Sequence, residues 1–216
     1  MLMRIRTSYI ALFSLLPTVA GAAGDISAVL NEATPAKIER IAADGNGPGD
    51  KTSQLSMDGC VLTQTVITPM DGSDIPHREI SAIDLRIARE ITDVSFNESR
   101  QADVVRVSLQ KGKTSEISDA FSGVKETFTS EVSRLEQERG ISFVDFDARK
   151  ALNEEVLDAI IPRINQGEFG TLPAEAYVAA SGRIQPPLPH LQVFIKAGQG
   201  QGVAEALEAH RKTCAG

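Results

Sequence analysis

Two cysteines, Cys60 and Cys214, are the residues whose chemistry this sequence specifies most clearly. A redox-active pair usually has Cys-x-x-Cys spacing, and structural zinc requires four Cys or His ligands in close pairs, so neither site is predicted. In an oxidising compartment an even number of cysteines indicates a disulfide, and two cysteines allow one intramolecular pairing. We therefore predict a structural disulfide, which also implies that residues 60–214 fold as one unit.

Histidines are the next candidates for chemistry. The chain has 3, and none is spaced i, i+4 from another histidine. His77 lies among Asp71, Asp74 and Glu79, which makes this segment the best candidate for a ligand-binding or hydrolytic site. Isolated histidines are more often surface or capping residues. We therefore predict no metal site, no cofactor and no catalytic residue.

Three short segments resemble known motifs, but each lacks the context that its motif requires. Residues 45–52 resemble a phosphate-binding loop, yet Asp50 stands before Lys51, where that loop needs glycine. Residues 122–125 match the Ser-x-x-Lys of penicillin-binding enzymes without the accompanying motifs in the right order. Residues 198–202 approximate a dinucleotide-binding fingerprint with the wrong spacing. This last segment opens a predicted helix and could hold a small anion, although a plain turn is favoured.

The N-terminus has the features of a secretory signal peptide over residues 1–22. Arg4 and Arg6 precede an apolar stretch at residues 9–19, and small residues lead up to Ala22, the favoured cleavage point. An uncleaved N-terminal anchor is the alternative. The apolar stretch is shorter than the about 20 residues of a membrane-spanning helix, and no later run approaches that length. We expect export to a bacterial periplasm, or secretion, and no membrane span in the mature chain.

The composition excludes several functional classes. The 216 residues are 42% hydrophobic and 24% charged, as in ordinary globular proteins, and the net charge is −7. Removal of two arginines with the signal peptide moves the net charge from −7 to −9. An acidic exported chain repels phosphate, so nucleic acid is not expected as a partner. The chain has no Trp and 2 Tyr, which disfavours a surface that stacks sugars or bases.

The first structural element predicted after the signal peptide is an N-terminal helical arm. Apolar residues at helical spacing predict helix within residues 25–43, and the turn-rich residues 44–53 predict a linker. The chain thus divides into a signal peptide at residues 1–22, a helical arm and linker at residues 23–53, and a single α+β domain at residues 54–216 closed by the disulfide. The arm either packs on the domain or swings free.

The α+β domain is predicted from a change of hydrophobic period along the chain. Alternation predicts an antiparallel meander in its first part, amphipathic spacing predicts two main helices in its middle, and more strands and a short helix end it. Predicted strands cover residues 60–68, 83–87, 105–109, 141–146, 177–180 and 191–197, with a loop at residues 69–76. Residues 92–96 either continue the strand at residues 83–87 or start another. Predicted helices cover residues 114–138, residues 147–165 and a final segment from residue 203. The expected fold is an antiparallel sheet of about five or six strands, with the two main helices on one face and the N-terminal helical arm in addition.

The function that these features favour is binding. We expect an exported, non-catalytic protein that binds an envelope protein or a small ligand. One alternative is a structural or assembly component of the envelope, acting through the arm or an exposed strand edge, which deletion of residues 23–53 would disrupt. The other is a hydrolase with an unrecognised site at His77, Asp71, Asp74 and Glu79, which His77→Ala would inactivate.

Overall fold

The computed structural model describes residues 25–35, 51–70, 73–170, 174–178, 183–185 and 188–215. The expected signal peptide, the second half of the arm, most of the linker and Asp71 lie outside these residues. The helices are α1 (Ile26–Ala33), α2 (Lys113–Arg139), α3 (Phe146–Asn165) and α4 (Gly200–Cys214). The strands are β1 (Thr52–Asp58), β2 (Val61–Met70), β3 (Ser73–Asp84), β4 (Asp93–Asn97), β5 (Ala102–Ser108), β6 (Ala174–Val178), β7 (Arg183–Ile184) and β8 (His190–Lys196). This arrangement confirms the α+β class.

The strands divide between two antiparallel sheets, whereas the sequence predicted one. The larger sheet has the order β1-β2-β3-β6-β7 and the smaller sheet the order β4-β5-β8. The predicted strand at residues 83–87 ends early because the buried carboxylate of Asp84 accepts a hydrogen bond from the backbone N–H of Arg86 at 2.8 Å. The same carboxylate pairs with the Arg86 guanidinium at 2.6 Å. These bonds stabilise a short 3-10 helix, Leu85–Ile87, which leads the chain into the smaller sheet.

One face of the larger sheet is covered by α2 and α3, as predicted for the two main helices. Their apolar stripes pack on the strands because residues three and four apart share one side of a helix. The buried residues of this layer are Val61, Ile80, Ala82, Phe121, Val124, Phe128, Leu152, Val156, Leu157, Ile160, Ile164 and Ile184.

The opposite face of the larger sheet, here called the inner face, packs on the smaller sheet and on α1 and α4. Leu55, Leu62 and Ile83 of the larger sheet share one core with residues of the other elements. Leu30 of α1 is fully buried in this core, so the described part of the arm packs on the domain and does not swing free. Asp25 caps α1 by accepting a hydrogen bond from the Ser27 N–H at 3.0 Å.

Two segments differ from the predicted elements because tertiary pairing overrides local pattern. The predicted loop at residues 69–76 is shorter, since β2 extends to Met70 and β3 begins at Ser73, with a register shift between Thr68 and Met70. The predicted linker is also shorter, because β1 begins at Thr52 and pairs along β2.

The segment at residues 141–146 is not a strand. It connects α2 to α3, and Phe146 is already the first residue of α3. The segment has strand-like composition but pairs with no described strand. Instead, Gly140 ends α2 with a φ of 64° and Asp145 begins α3 by accepting a hydrogen bond from the Ala148 N–H at 3.1 Å.

Candidate functional site

The disulfide between Cys60 and Cys214 is present, with an S–S distance of 2.10 Å and a sequence separation of 154 residues. Cys60 lies in the turn between β1 and β2, and Cys214 is the last residue of α4. The bond therefore joins the larger sheet to the helix that packs on its inner face. A second contact between α4 and the same turn lies beside the disulfide. A ring nitrogen of His210 is 2.8 Å from the backbone oxygen of Gly59.

Potential ligand atoms of Cys60, His210 and Cys214 lie within 4.8 Å of one another. Within the described ranges, this is the one group of His, Cys and carboxylate side chains with spacing suited to a metal ion. Metal binding requires thiolates, and here the two sulfur atoms are bonded to each other. We therefore assign this cluster a structural role.

The candidates around His77 are only partly brought together. His77 and Glu79 are two residues apart on β3 and share its inner face, whereas alternation along the strand places Asp74 on the opposite face. Asp71 lies outside the described residues. A ligand-binding role for His77 and Glu79 stays a prediction, and Asp74 does not share their face.

The glycine-rich residues 198–202 form the start of α4. The backbone N–H of Gly200 donates to Oδ2 of Asp103 at 2.8 Å. A Cβ atom at Gly200 would lie 2.8 Å from the Cβ of Asp103 and 2.8 Å from Cγ1 of Val94. The carboxylate of Asp103 thus occupies the position that the sequence offered to a small anion, and the glycine is required by close packing.

The clearest unassigned surface is the connection between α2 and α3. Phe143, Val144 and Phe146 are 79%, 59% and 71% exposed, and we call these three residues the hairpin tip. Phe96 on β4 is the other large hydrophobic side chain with comparable exposure among the described residues. The 27 residues of α2 span about 40 Å, so α2 and α3 form a long hairpin with the tip at its end.

Ion pairs between the two helices hold the end of the hairpin. The Arg139 guanidinium donates to both carboxylate oxygens of Glu155 at 2.7 Å. Arg149 donates to Glu136 at 2.7 Å. The bond from Arg139 lowers the pKa of the Glu155 carboxyl below its ordinary value. Exposed pairs contribute about 0–1 kcal/mol each, so their main effect is to set the alignment of α2 against α3.

A concave feature, here called the inter-sheet cleft, lies beside the inner face and has a volume of about 310 Å³. The residues that matter for its chemistry are Lys51, Gln64, Glu79, Arg100, Leu191 and Phe194. Gln64 is 3% exposed, and its Oε1 has no hydrogen-bond partner. The guanidinium of Arg100 lies 4.5 Å from the centre of the Phe194 ring. Glu79 is thus the sequence candidate that the fold brings into a cavity.

Neither the hairpin tip nor the inter-sheet cleft was predicted from the sequence. The sequence does contain an indication of the tip, because Gly140 is a residue type that ends helices and Asp145 is one that starts them. These two residues flank the apolar run between two predicted helices. For the cleft, the signal was weaker. Gln64 interrupts an otherwise apolar and β-branched strand, but nothing local shows which face of the sheet it shares.

Comparison with protein-family models, with curated proteins and with solved structures finds no match for this chain. No described helix combines the length and the apolar character that crossing a bilayer requires. The function is therefore inferred from the geometry of the hairpin tip and the inter-sheet cleft.

Proposed function

We propose that this chain is an exported, non-catalytic binding protein that docks to a protein partner in the cell envelope through the hairpin tip. The exposure of Phe143, Val144 and Phe146 at one site carries the proposal. Contiguous apolar patches are uncommon on monomeric proteins and often mark interaction sites. Aromatic side chains are also enriched among the residues that contribute most to binding energy.

The charges around the tip indicate the chemistry of the partner. Asp145 and Asp147 alternate with Val144 and Phe146, so carboxylates border the apolar side chains. The arginines of this half of the hairpin are each bonded to glutamate, in the pairs Arg134–Glu131, Arg134–Glu138, Arg139–Glu155 and Arg149–Glu136. Nζ of Lys150 also lies 3.8 Å from Oδ1 of Asp147. Residues 136–155 nevertheless hold 6 carboxylates against 3 cations. The border of the tip thus has a net negative charge, and it complements an apolar pocket surrounded by basic side chains. The same border disfavours an anionic membrane surface.

Export of the chain is supported by two observations. The disulfide is of the kind that persists in oxidising compartments such as the bacterial periplasm. The sequence of residues 1–22 has the charge, apolar stretch and small residues of a signal peptide. We propose that the mature chain acts in the periplasm after cleavage near Ala22.

The test places a photo-crosslinking phenylalanine analogue at position 143 in the full chain, expressed in the organism of origin. The matched control carries the analogue at position 96, which is 51% exposed on β4. The crosslinked partner is purified, and its affinity is measured for the wild type, Phe146→Ser and Phe96→Ser at two salt concentrations. Sedimentation velocity and co-sedimentation with phosphatidylglycerol vesicles accompany these measurements.

We expect one partner to crosslink from position 143 and not from position 96. Phe146→Ser should weaken its binding at least tenfold, Phe96→Ser should not, and added salt should weaken it further because the two rims are oppositely charged. Crosslinking to a second copy of the chain, binding to vesicles, or the absence of a partner whose affinity depends on Phe146 would each refute the proposal.

A further inference from the structure

The inter-sheet cleft contains a buried polar atom that the folded chain leaves unbonded. Oε1 of Gln64 has no hydrogen-bond partner, although the residue is 3% exposed and lines the cleft. An unpaired buried acceptor destabilises the folded state, whereas an apolar residue of similar shape would carry no such cost. Glutamine at this position therefore suggests a bound group that donates an N–H or O–H to Oε1.

Charged groups of both signs line the same cleft. Lys51 and Arg100 are the cations, and His190 lines the cleft beside them. Within the described part of the chain neither Lys51 nor Arg100 forms an ion pair. Glu79 is the anion, and it too lacks an ion-pair partner among those residues. Gln64 pairs with Ser81 across β2 and β3, so Glu79 is its diagonal neighbour on the inner face. Gln64 and Glu79 are placed to receive the donors of one cationic group.

The rest of the lining is mixed, because polar Ser81, His190 and Gln192 lie beside apolar residues. Phe194 lines it beneath the Arg100 guanidinium, and Val66 and Leu191 line it from β2 and β8. The volume of about 310 Å³ lies at the lower end of the range for ligand pockets and suits a small molecule rather than a polymer. A ligand that satisfies this lining has an ammonium group, a carboxylate and an apolar body.

We propose that the inter-sheet cleft binds a free apolar α-amino acid. In this arrangement the ammonium donates to Oε1 of Gln64 and to the Glu79 carboxylate, and the ligand carboxylate lies between Lys51 and Arg100. The side chain of the ligand packs on Phe194 and Val66. The site is separate from the hairpin tip, so this proposal does not depend on docking to a protein partner.

The experiment titrates the purified full chain with L-phenylalanine by isothermal calorimetry. Two probes each lack one group: 3-phenylpropionate has no ammonium, and phenethylamine has no carboxylate. The variant is Gln64→Leu, and the matched control is Gln54→Leu, the same change at an exposed position of β1. Lys51→Gln tests the carboxylate contact, and thermal unfolding of each variant verifies its fold.

We expect L-phenylalanine to bind saturably and each probe to bind at least tenfold more weakly. Gln64→Leu should lower the affinity for L-phenylalanine at least tenfold without lowering the melting temperature, while Gln54→Leu should not change the affinity. Lys51→Gln should weaken binding of L-phenylalanine but not of phenethylamine. Failure of L-phenylalanine to bind, or equal binding by Gln64→Leu and Gln54→Leu, would overturn the proposal.

Discussion

The carboxylate of Asp103 on β5 accepts a hydrogen bond from the backbone N–H of Gly200, at 2.8 Å, and so holds the start of α4. The first N–H groups of a helix have no partner within the helix, and this one is satisfied by the smaller sheet. The other end of α4 is bonded to the larger sheet through Cys214. The helix is therefore attached at both ends, once by a side-chain cap and once by a covalent bond.

We predict that Gly200→Ala lowers the free energy of unfolding by about 1–3 kcal/mol, because the added Cβ would meet Asp103 and Val94 at 2.8 Å. Gly202→Ala is the matched control, since a Cβ there meets nothing within 4 Å. That change should be neutral or stabilising, as alanine favours helix. Urea denaturation of both variants measures the difference, and equal stabilities would contradict the packing described here.

A buried carboxylate gives this fold a specific response to acid. Oε2 of Glu208 on α4 accepts hydrogen bonds from Arg211 Nε at 2.7 Å and from the Ile91 N–H at 3.1 Å. The bond from Arg211 and then that from Ile91 lower the pKa of Glu208 to about 2. Because the folded-state pKa lies below the unfolded one, the stabilisation is complete above pH about 4.5 and is lost as the pH falls toward 2.

Glu208→Gln should therefore lower the free energy of unfolding at pH 7 and flatten its decline between pH about 4.5 and 2. The loss at pH 7 should be on the order of 2 kcal/mol, since the charged hydrogen bonds are weakened. Glu205→Gln, an exposed change on the same helix, is the control and should retain the wild-type pH profile. Denaturation curves at several pH values test this, and parallel profiles for wild type and Glu208→Gln would refute it.

Loss of the disulfide should lower stability without changing the fold. Its loop of 154 residues corresponds to at most about 5 kcal/mol of chain entropy. Cys60→Ser should thus lower the melting temperature by several degrees and leave the far-ultraviolet circular dichroism spectrum unchanged. Reduced wild type is the control and should melt with the variant. Detection of free thiols in the native protein would contradict this assignment.

The N-terminal helix α1 should contribute to the stability of the domain. Leu30 is 0% exposed within the core of the inner face, so Leu30→Ala should cost about 2–5 kcal/mol. Asn31→Ala, at an exposed neighbouring position, should cost far less. Chemical denaturation compares them. Deletion of residues 23–53 would also remove this core contact, so Leu30→Ala is the sharper test of the arm.

The hairpin tip should be expendable for folding. Phe143→Ala should change the free energy of unfolding by less than about 0.5 kcal/mol, because the side chain is 79% exposed. Phe128→Ala on α2, where the side chain is 3% exposed, should cost about 3–5 kcal/mol. Guanidinium titrations distinguish the two. A large loss of unfolding free energy in Phe143→Ala would mean that this side chain is buried in the folded protein, which would contradict the docking proposal.

Local pattern predicted the long elements closely. The helix expected at residues 114–138 is Lys113–Arg139, and the strands expected at residues 105–109 and 191–197 are Ala102–Ser108 and His190–Lys196. These segments keep a hydrophobic period of 3.6 or 2 over most of their length. Only a helix, or only a strand, then places their apolar residues on one buried face. The apolar run at residues 141–146 is too short to carry such a period. Its composition favours a strand, but a strand forms only where a partner is available.

The sequence by itself determined the α+β class, the identity of the disulfide partners and the faces of the main helices. These follow from pairing chemistry and from hydrophobic period, which act within single segments. Tertiary structure alone decided that Asp84 divides the strands into two sheets, that Phe143 and Phe146 stay exposed, and that Gln64 and Glu79 line one cleft. Those outcomes depend on contacts between residues distant in the chain, and no local pattern encodes which surfaces will meet.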